Sequence, residues 1–156
     1  MRNLNKILFL SGIILFTAFS CEEEKDDPAD YVPIEIKKIT DFGCEDCYIT
    51  LKQNYIDDTC YVIYTENEYN DYIEYVTGEN PPTINFEKYF LIIGLKRFLT
   101  AAEIKEEKAE ESDAEIVFTV TINVYDYLAP KGVDYHAFLE RPIEEKNVRI
   151  EILTLP

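Results

Sequence analysis

The chain has 156 residues, of which 31 are acidic and 15 are basic, so its formal net charge is −16 at pH 7. A surface this negative repels phosphate backbones, and no basic patch with interleaved aromatic residues occurs, so the composition argues against nucleic acid as a partner. The length suits one domain with its own hydrophobic core rather than two.

The chain opens with a pattern typical of a lipoprotein signal peptide. Arg2 and Lys6 precede the apolar run 7–19, and a serine stands directly before Cys21. At about 1.5 Å per residue the run spans roughly 20 Å, which is short of the ~30 Å hydrocarbon core, so a signal peptide is favoured over a transmembrane helix. We therefore predict that residues 1–20 are removed and that Cys21 carries a covalent lipid. The alternative is an ordinary secretory signal that happens to end near a cysteine.

An acidic run follows this cysteine at once, and its members are Glu22, Glu23, Glu24, Lys25, Asp26 and Asp27. The run resembles the export signal of surface lipoproteins in Bacteroidota-type bacteria, which directs a protein to the outer face of the outer membrane. The alternative is a solvated acidic tether, which such a composition gives in any case. We expect a lipid-anchored tether over 21–31, a single globular domain over 32–156, and a location on the outer membrane, at the cell surface.

The domain is predicted to be mainly β, an antiparallel and sandwich-like α+β fold. Apolar and polar residues alternate, or apolar residues run together, over short segments bounded by turn residues, as is typical of strands. These segments are 32–39, 47–52, 60–64, 89–95, 116–125, 135–139 and 148–153. The continuous apolar run at 89–95 predicts a central strand that is buried on both faces.

One packed helix is predicted over about 65–77. Thr65 and Glu68 have the spacing of a capping box. Tyr69, Tyr72, Ile73 and Val76 then follow at helical spacing and form an apolar face, which is more often core than a ligand platform.

The segment 100–111 gives conflicting signals. Its alanine, glutamate and lysine content has high helix propensity, yet Ile104 is nearly alone as an apolar residue. The polar stretch 112–115 would suit the turn of a β-hairpin leading into the strand at 116–125. By propensity alone, 100–111 is predicted to be a helix.

Three cysteines, Cys44, Cys47 and Cys60, remain after the lipidated one. Outside the cytoplasm they are free to form a disulfide, which leaves one thiol over. The spacing of Cys44 and Cys47 also suits a redox or a zinc motif, but two acids lie between them and no second pair completes a metal site. A structural disulfide or buried thiols are favoured. If a bridge forms, we expect Cys60 to pair with Cys44 or Cys47 and so join two neighbouring strands.

Catalytic motifs are not evident in the sequence. Ser112 and His136 are the only serine and histidine after residue 20, and no nucleophile elbow, phosphate loop or metalloprotease motif occurs. A cysteine–histidine pair is the remaining nucleophilic alternative, and the competing interpretation places His136 facing solvent in a strand. Calcium at Asp57 and Asp58 is a weaker alternative. We predict that the chain is not an enzyme and has no cofactor besides the lipid on Cys21.

Two stretches carry a family resemblance. Residues 60–73 look like the strand and short capped helix of small bacterial surface lipoproteins, and 84–94 resembles the segment that follows. The same layout occurs in the C-terminal domain of PrcB-like proteins, which stabilise protease complexes. The resemblance implies a long β-hairpin next, which makes 100–111 a strand. The Gly-Gly-Tyr-type stretch of that family is absent at 99–102, so no functional residue is carried over.

These observations favour an outer-membrane lipoprotein that acts as a non-catalytic accessory subunit of a membrane or protease complex. Its partners would be the membrane, through the lipid, and a protein such as an outer-membrane barrel or a protease. The alternative is a lipoprotein that binds a glycan or a metal and feeds a transporter. Tryptophan is absent, which weakens the glycan alternative, while 12 tyrosines suit stacking or protein interfaces.

Overall fold

The computed structural model describes residues 30–52, 58–76 and 82–156, so the predicted leader and most of the predicted tether lie outside the described residues. The elements in chain order are β1 (Val32–Ile34), the 3-10 helix η1 (Ile39–Phe42), β2 (Ile49–Leu51), β3 (Thr59–Ile63), α1 (Glu66–Tyr72), β4 (Ile73–Tyr75), β5 (Tyr89–Glu111), β6 (Glu115–Glu140) and β7 (Asn147–Leu155). Strands hold 62% of the described residues and helices 9%, which confirms the predicted mainly β class.

One long hairpin, formed by β5 and β6, is the centre of the fold. The chain reverses at the turn predicted for 112–115, where the Ser112 hydroxyl accepts a hydrogen bond from the backbone N–H of Glu115 at 3.2 Å. The pairing register of the two strands shifts three times between Phe98 and Glu106. Such irregularities bend a strand and increase its twist, so the hairpin is not straight.

The bend folds the hairpin back on itself. We call the half made of 89–98 and 131–140 the middle layer, and the half made of 100–111 and 115–128 the outer layer. One apolar cluster joins the two layers and includes Phe90, Ile92, Ala102, Ala109, Ile116, Phe118, Val120, Ile122, Val133, Tyr135, Ala137 and Leu139. The two halves therefore pack face to face as in a β-sandwich.

The middle layer is covered on its other face as well. Leu91 and Ile93 point away from the outer layer and belong to a second cluster, together with Ile49, Leu51, Tyr69 and Ile73 from β2, α1 and β4. Four successive residues, 90–93, are each no more than 1% exposed. This confirms the prediction that the apolar run at 89–95 is a central strand buried on both faces.

The main sheet has the strand order β1-β5-β6-β7, with β3 also paired to β5, while β2 and β4 form a separate antiparallel pair. All of these pairs are antiparallel except β6–β7, which is parallel. A parallel pair normally needs a long crossover connection. Here the loop 141–146 suffices, because the fold-back brings the end of β6 close to the start of the same strand.

The predicted helix is present but shorter than expected. Thr65 and Glu68 form the predicted capping box, in which the Thr65 side chain accepts from the Glu68 backbone N–H. The helix ends at Tyr72, because Ile73 leaves the helical conformation and begins β4, which pairs with β2. Ile73 is 5% exposed, so the burial of this β-branched side chain against the middle layer outweighs helix propensity.

Segment 100–111 is part of β5, so the prediction from propensity is wrong and the one from the resemblance is correct. The partner strand explains the outcome. Without 100–111, residues 116–124 of β6 would leave the backbone groups of one edge unpaired and an apolar face uncovered. Ala102 and Ala109 face this core at 2% and 3% exposure, and small side chains are compatible with both structures.

Two other element boundaries differ from the predictions. The strand expected over 32–39 stops at Ile34, after which Lys37 makes an isolated bridge to Phe138 and η1 begins. The strands expected over 116–125 and 135–139 are one continuous strand, β6. Periodicity alone does not reveal that the residues between them stay in the ladder around the bend.

The disulfide joins Cys44 to Cys47, whose Cα atoms are 5.4 Å apart, and Cys60 is free. The expected pairing of Cys60 with Cys44 or Cys47 is therefore wrong. The middle layer separates them: Cys44 and Cys47 lie in the cluster beneath β2 and β4, while Cys60 lies opposite Gly94 on the face that carries Tyr135. The C-x-x-C pair closes a tight turn that follows Gly43, which has a φ of 91°.

Removal of this disulfide is expected to lower the free energy of unfolding by about 2 kcal/mol, since closing so short a loop restricts the unfolded chain only modestly. The double variant Cys44→Ser/Cys47→Ser and wild-type protein in reductant should show equal shifts in urea denaturation. The Cys60→Ser variant is the control, because reductant should destabilise it as much as it destabilises wild type. Equal stability of Cys60→Ser with and without reductant would contradict the pairing.

Candidate interaction surface

The bend of the hairpin carries a group of exposed apolar side chains, which we call the corner patch: Leu99, Tyr125, Tyr127 and Leu128. Leu128 is 87% exposed, Leu99 is 81% exposed and Tyr127 is 61% exposed. Leu99 directly precedes Thr100, and Thr100 is the cross-strand partner of Leu128. These side chains therefore project from neighbouring backbone positions at one bend, and grouped exposed apolar side chains mark an interaction site more often than scattered single residues do.

Unequal strand lengths create this exposed corner. Between the pairs Phe98–Lys131 and Ala102–Val124, β6 advances seven residues while β5 advances four. The three extra residues of β6 have no partner on β5, so the strand bulges outward and its side chains leave the core. The Tyr125 and Tyr127 rings stack at 6.0 Å between centroids, which orders the bulged segment.

Charged groups border the corner patch on both strands. The Tyr125 hydroxyl donates to the Glu103 carboxylate, and this acceptor raises the pKa of the tyrosine. Arg97 and Lys131 have no carboxylate within ion-pair distance among the described residues, although the backbone N–H of Arg97 donates to Asp58 at 2.8 Å. The corner thus combines exposed leucines with tyrosines and an arginine, and tyrosine and arginine are enriched in protein interfaces.

The residues predicted to attach the chain to a membrane, Cys21 and the acidic run 22–27, lie outside the described residues. Among the described residues, no helix is both long enough and apolar enough to span a bilayer. The alternative calcium position is only partly described: Asp58 pairs with Lys96, and Asp57 lies outside the described residues. In the described part of the chain, no group of three or more His, Cys, Asp or Glu side chains is arranged to hold a metal ion.

His136 is not solvent-facing, so that part of the interpretation is wrong. It lies in β6 on the face of the middle layer that carries Phe138, and its Nε2 is buried without a hydrogen-bond partner in the described part of the chain. Burial, followed by the nearby Lys38 ammonium, lowers the pKa of His136 to about 4. A neutral imidazole held in this way serves packing.

Cys60 has a specific neighbour rather than a catalytic base. Tyr135 lies across Gly94 from Cys60, and partial burial raises the pKa of the Cys60 thiol. His136 points to the opposite face of β6 from Tyr135, because successive side chains alternate along a strand. The structure therefore does not bring together the cysteine–histidine pair considered above, and Ser112 is occupied in the hairpin turn.

Sequence reasoning missed the corner patch. Leu99 and Leu128 lie outside the strands predicted for 89–95 and 116–125, so the sequence patterns gave them no position in the fold. One signal was present: apolar–polar alternation breaks after Val124, where Tyr125, Tyr127 and Leu128 precede Pro130. A proline cannot donate to a ladder and marks an edge or a bulge.

Comparison with known proteins gives no further assignment: no protein-family model, no curated protein and no solved structure matches this chain.

Proposed function

We propose that this chain is a lipid-anchored protein of the bacterial cell surface that acts as a non-catalytic accessory subunit and binds a protein partner through the corner patch. The observation that carries the proposal is the exposure of Leu99 and Leu128, two large apolar side chains more than 80% exposed on neighbouring strands. Burial of one such side chain contributes about 1.5–3 kcal/mol, so both together supply much of the energy of a specific interface.

The position of the corner patch favours contact with a protein partner over contact with the membrane that holds the lipid anchor. The chain enters the described domain through β1, where Val32 pairs with Glu111 next to the hairpin turn. The patch lies at the other end of the outer layer, beyond Ala102, and strand geometry of about 3.3 Å per residue places it roughly 30 Å away. A tether attached beside the turn leaves the corner patch at the distal end of the domain.

The chemistry of the corner indicates what kind of surface the partner has. The partner presents an apolar surface to Leu99 and Leu128, with carboxylates placed to meet Arg97 and Lys131. Such charge complementarity sets orientation and specificity more than affinity. The anchor confines the protein to one membrane, so we assign the partner to the integral proteins of that membrane, and a protease held there is the other outcome of the test.

The double variant Leu99→Ser/Leu128→Ser is expected to lose the partner while keeping its fold. Intact cells are crosslinked and the partner is recovered by affinity purification. We expect this recovery to fall at least tenfold, because both large apolar side chains of the interface are gone. The free energy of unfolding should change by less than about 0.5 kcal/mol per site, since neither side chain is in a core.

A second double variant, Val76→Ser/Ile143→Ser, is the matched control. Both residues are exposed and apolar, and neither is in the corner patch. The control should recover the partner as wild type does, and Arg97→Glu/Lys131→Glu should weaken recovery of the same partner. The proposal would be contradicted if the corner and control variants recovered equal amounts of the partner, or if the charge-reversal variant recovered as much partner as wild type does.

A further inference from the structure

A cavity of about 390 Å³ lies at the opposite end of the domain from the corner patch, beside the loop 141–146. It opens between the middle and outer layers, where this loop connects β6 to β7. Its lining residues are Tyr64, Phe90, Ile116, Arg141, Pro142, Glu145, Lys146 and Val148. The volume exceeds that of a single water molecule many times over and falls in the range of small-molecule sites.

The inner wall of the cavity is apolar. Phe90 and Ile116 are each 1% exposed and come from the middle and outer layers respectively. Tyr64 stacks on Phe90 with 5.4 Å between ring centroids, and Val148 and Pro142 complete the wall. An apolar wall of this kind binds hydrocarbon better than water.

Two cations line the same cavity. The Arg141 guanidinium lies over the Tyr64 ring at 5.3 Å and donates one Nη–H to the Tyr64 carbonyl. Its Nε–H is buried and has no acceptor among the described residues. Lys146 donates to the Ser112 carbonyl at 2.6 Å and lies 3.4 Å from a Glu111 carboxylate oxygen.

The unpaired Nε–H of Arg141 indicates that a ligand of this cavity carries a hydrogen-bond acceptor as its polar group. A guanidinium has five N–H donors, and its edge accepts a carboxylate through two parallel hydrogen bonds. Glu145 is the one carboxylate that lines the cavity, and it makes no ion pair with Arg141 within the described contacts. A buried donor without an acceptor costs free energy, which a ligand acceptor would remove.

The surroundings also determine where the charged end of a ligand can lie. A wider cleft of about 920 Å³ lies on the other side of the same loop. Its lining includes the carboxylates of Glu35, Glu111, Asp113, Glu140 and Glu144, together with the cations Lys37, Arg141 and Lys146. Carboxylates outnumber cations five to three in this cleft, whereas two cations and one carboxylate line the apolar cavity, so the charge balance favours an anion on the side of Arg141 that faces the cavity.

From these contacts we infer that the cavity binds a linear apolar carboxylate, whose hydrocarbon chain packs between Phe90 and Ile116 and whose carboxylate pairs with Arg141. This binding activity is separate from the corner patch and does not depend on the function proposed above. An apolar carboxylate is also a different class of ligand from the glycan or metal considered from the sequence, since it is recognised by an apolar wall and a guanidinium.

Equilibrium dialysis of radiolabelled decanoate against residues 22–156 tests the inference, since this segment contains every described strand pairing and both clusters. Decanoate should bind saturably at one site, at least tenfold more tightly than decanol, and decyltrimethylammonium should not compete. Arg141→Gln should lower decanoate affinity at least tenfold and leave decanol binding unchanged. Lys105→Gln, which removes an exposed cation outside both the corner patch and the cavity lining, is the matched control and should bind as wild type.

Val148→Phe provides an independent readout if Arg141→Gln does not fold, because the larger side chain fills the cavity from β7. It should abolish binding of both decanoate and decanol. The inference is overturned if decanoate binding is absent, if decanol binds as tightly as decanoate, or if decanoate affinity survives either substitution.

Discussion

Gly94→Ala should lower the free energy of unfolding by about 3 kcal/mol, the upper range for forcing an extra carbon into a packed core. Gly94 lies in β5 between Cys60 of β3 and Tyr135 of β6. A Cβ placed on Gly94 would overlap the ring of Tyr135, a buried side chain that is 4% exposed and would have to shift. Urea denaturation of purified wild type and variant measures the difference.

Gly132→Ala is the control for this substitution, because its Cβ would meet only the flexible end of the Leu95 side chain. It should cost less than about 1 kcal/mol, the ordinary range for a tolerated change in a strand. Combining Gly94→Ala with Tyr135→Leu should cost less than the sum of the two single variants, since the clash is then relieved. Additive costs would show that Tyr135 does not lie over Gly94.

The free energy of unfolding should fall by about 3 kcal/mol as the pH decreases from 6.5 to 4, because His136 is held neutral in the folded protein. Its pKa is lowered to about 4 in the fold, by burial and by Lys38, against about 6.5 in the unfolded chain. Between these values the unfolded chain binds more protons, so acid favours unfolding. The loss should level off below pH 4. The neighbouring ion pair, Lys38 with Glu107 at 2.5 Å, keeps a positive charge near the imidazole throughout.

His136→Gln is the matched variant for this pH dependence, since it removes the titration but keeps a polar side chain of similar size. Its stability should be nearly constant from pH 6.5 to 4. The carboxylates of Asp58 and Glu68 have lowered pKa values, so the loss of stability caused by their protonation occurs at more acid pH. A wild-type profile that stays flat in this window, or a variant profile that falls equally, would contradict the burial of His136.

Local signals in the sequence were sufficient for much of the fold. The run at 89–95 predicted a strand buried on both faces, and the alternation at 116–125 predicted a strand. The capping box of Thr65 and Glu68 located the start of α1. Each of these features depends on neighbours in the chain, which a sequence displays directly.

Features that depend on distant contacts were not predictable in this way. Segment 100–111 has the composition of a helix and becomes a strand because β6 needs a partner. The Cys44–Cys47 pairing follows from which face of the middle layer each cysteine occupies, and alternation cannot assign faces before the layers are known.

The corner patch and the cavity were not predictable from the sequence either, because both depend on contacts between residues that are distant in the chain. The exposure of Leu99 and Leu128 results from three extra residues in β6, a property of the pairing register rather than of either strand alone. The cavity beside 141–146 exists only because the folded hairpin returns the end of β6 to its start. Cys21 and the acidic run 22–27 are the opposite case, since their proposed roles depend on sequence motifs and not on the fold.

The most direct test of the proposed function is photo-crosslinking in living cells from the corner patch itself. A photoreactive amino acid in place of Leu128 is compared with the same residue in place of Ile143, which is fully exposed at the other end of the domain. The proposal predicts one discrete adduct with an integral membrane protein from position 128, and none from position 143. No adduct from position 128, or the same adduct from both positions, would contradict it.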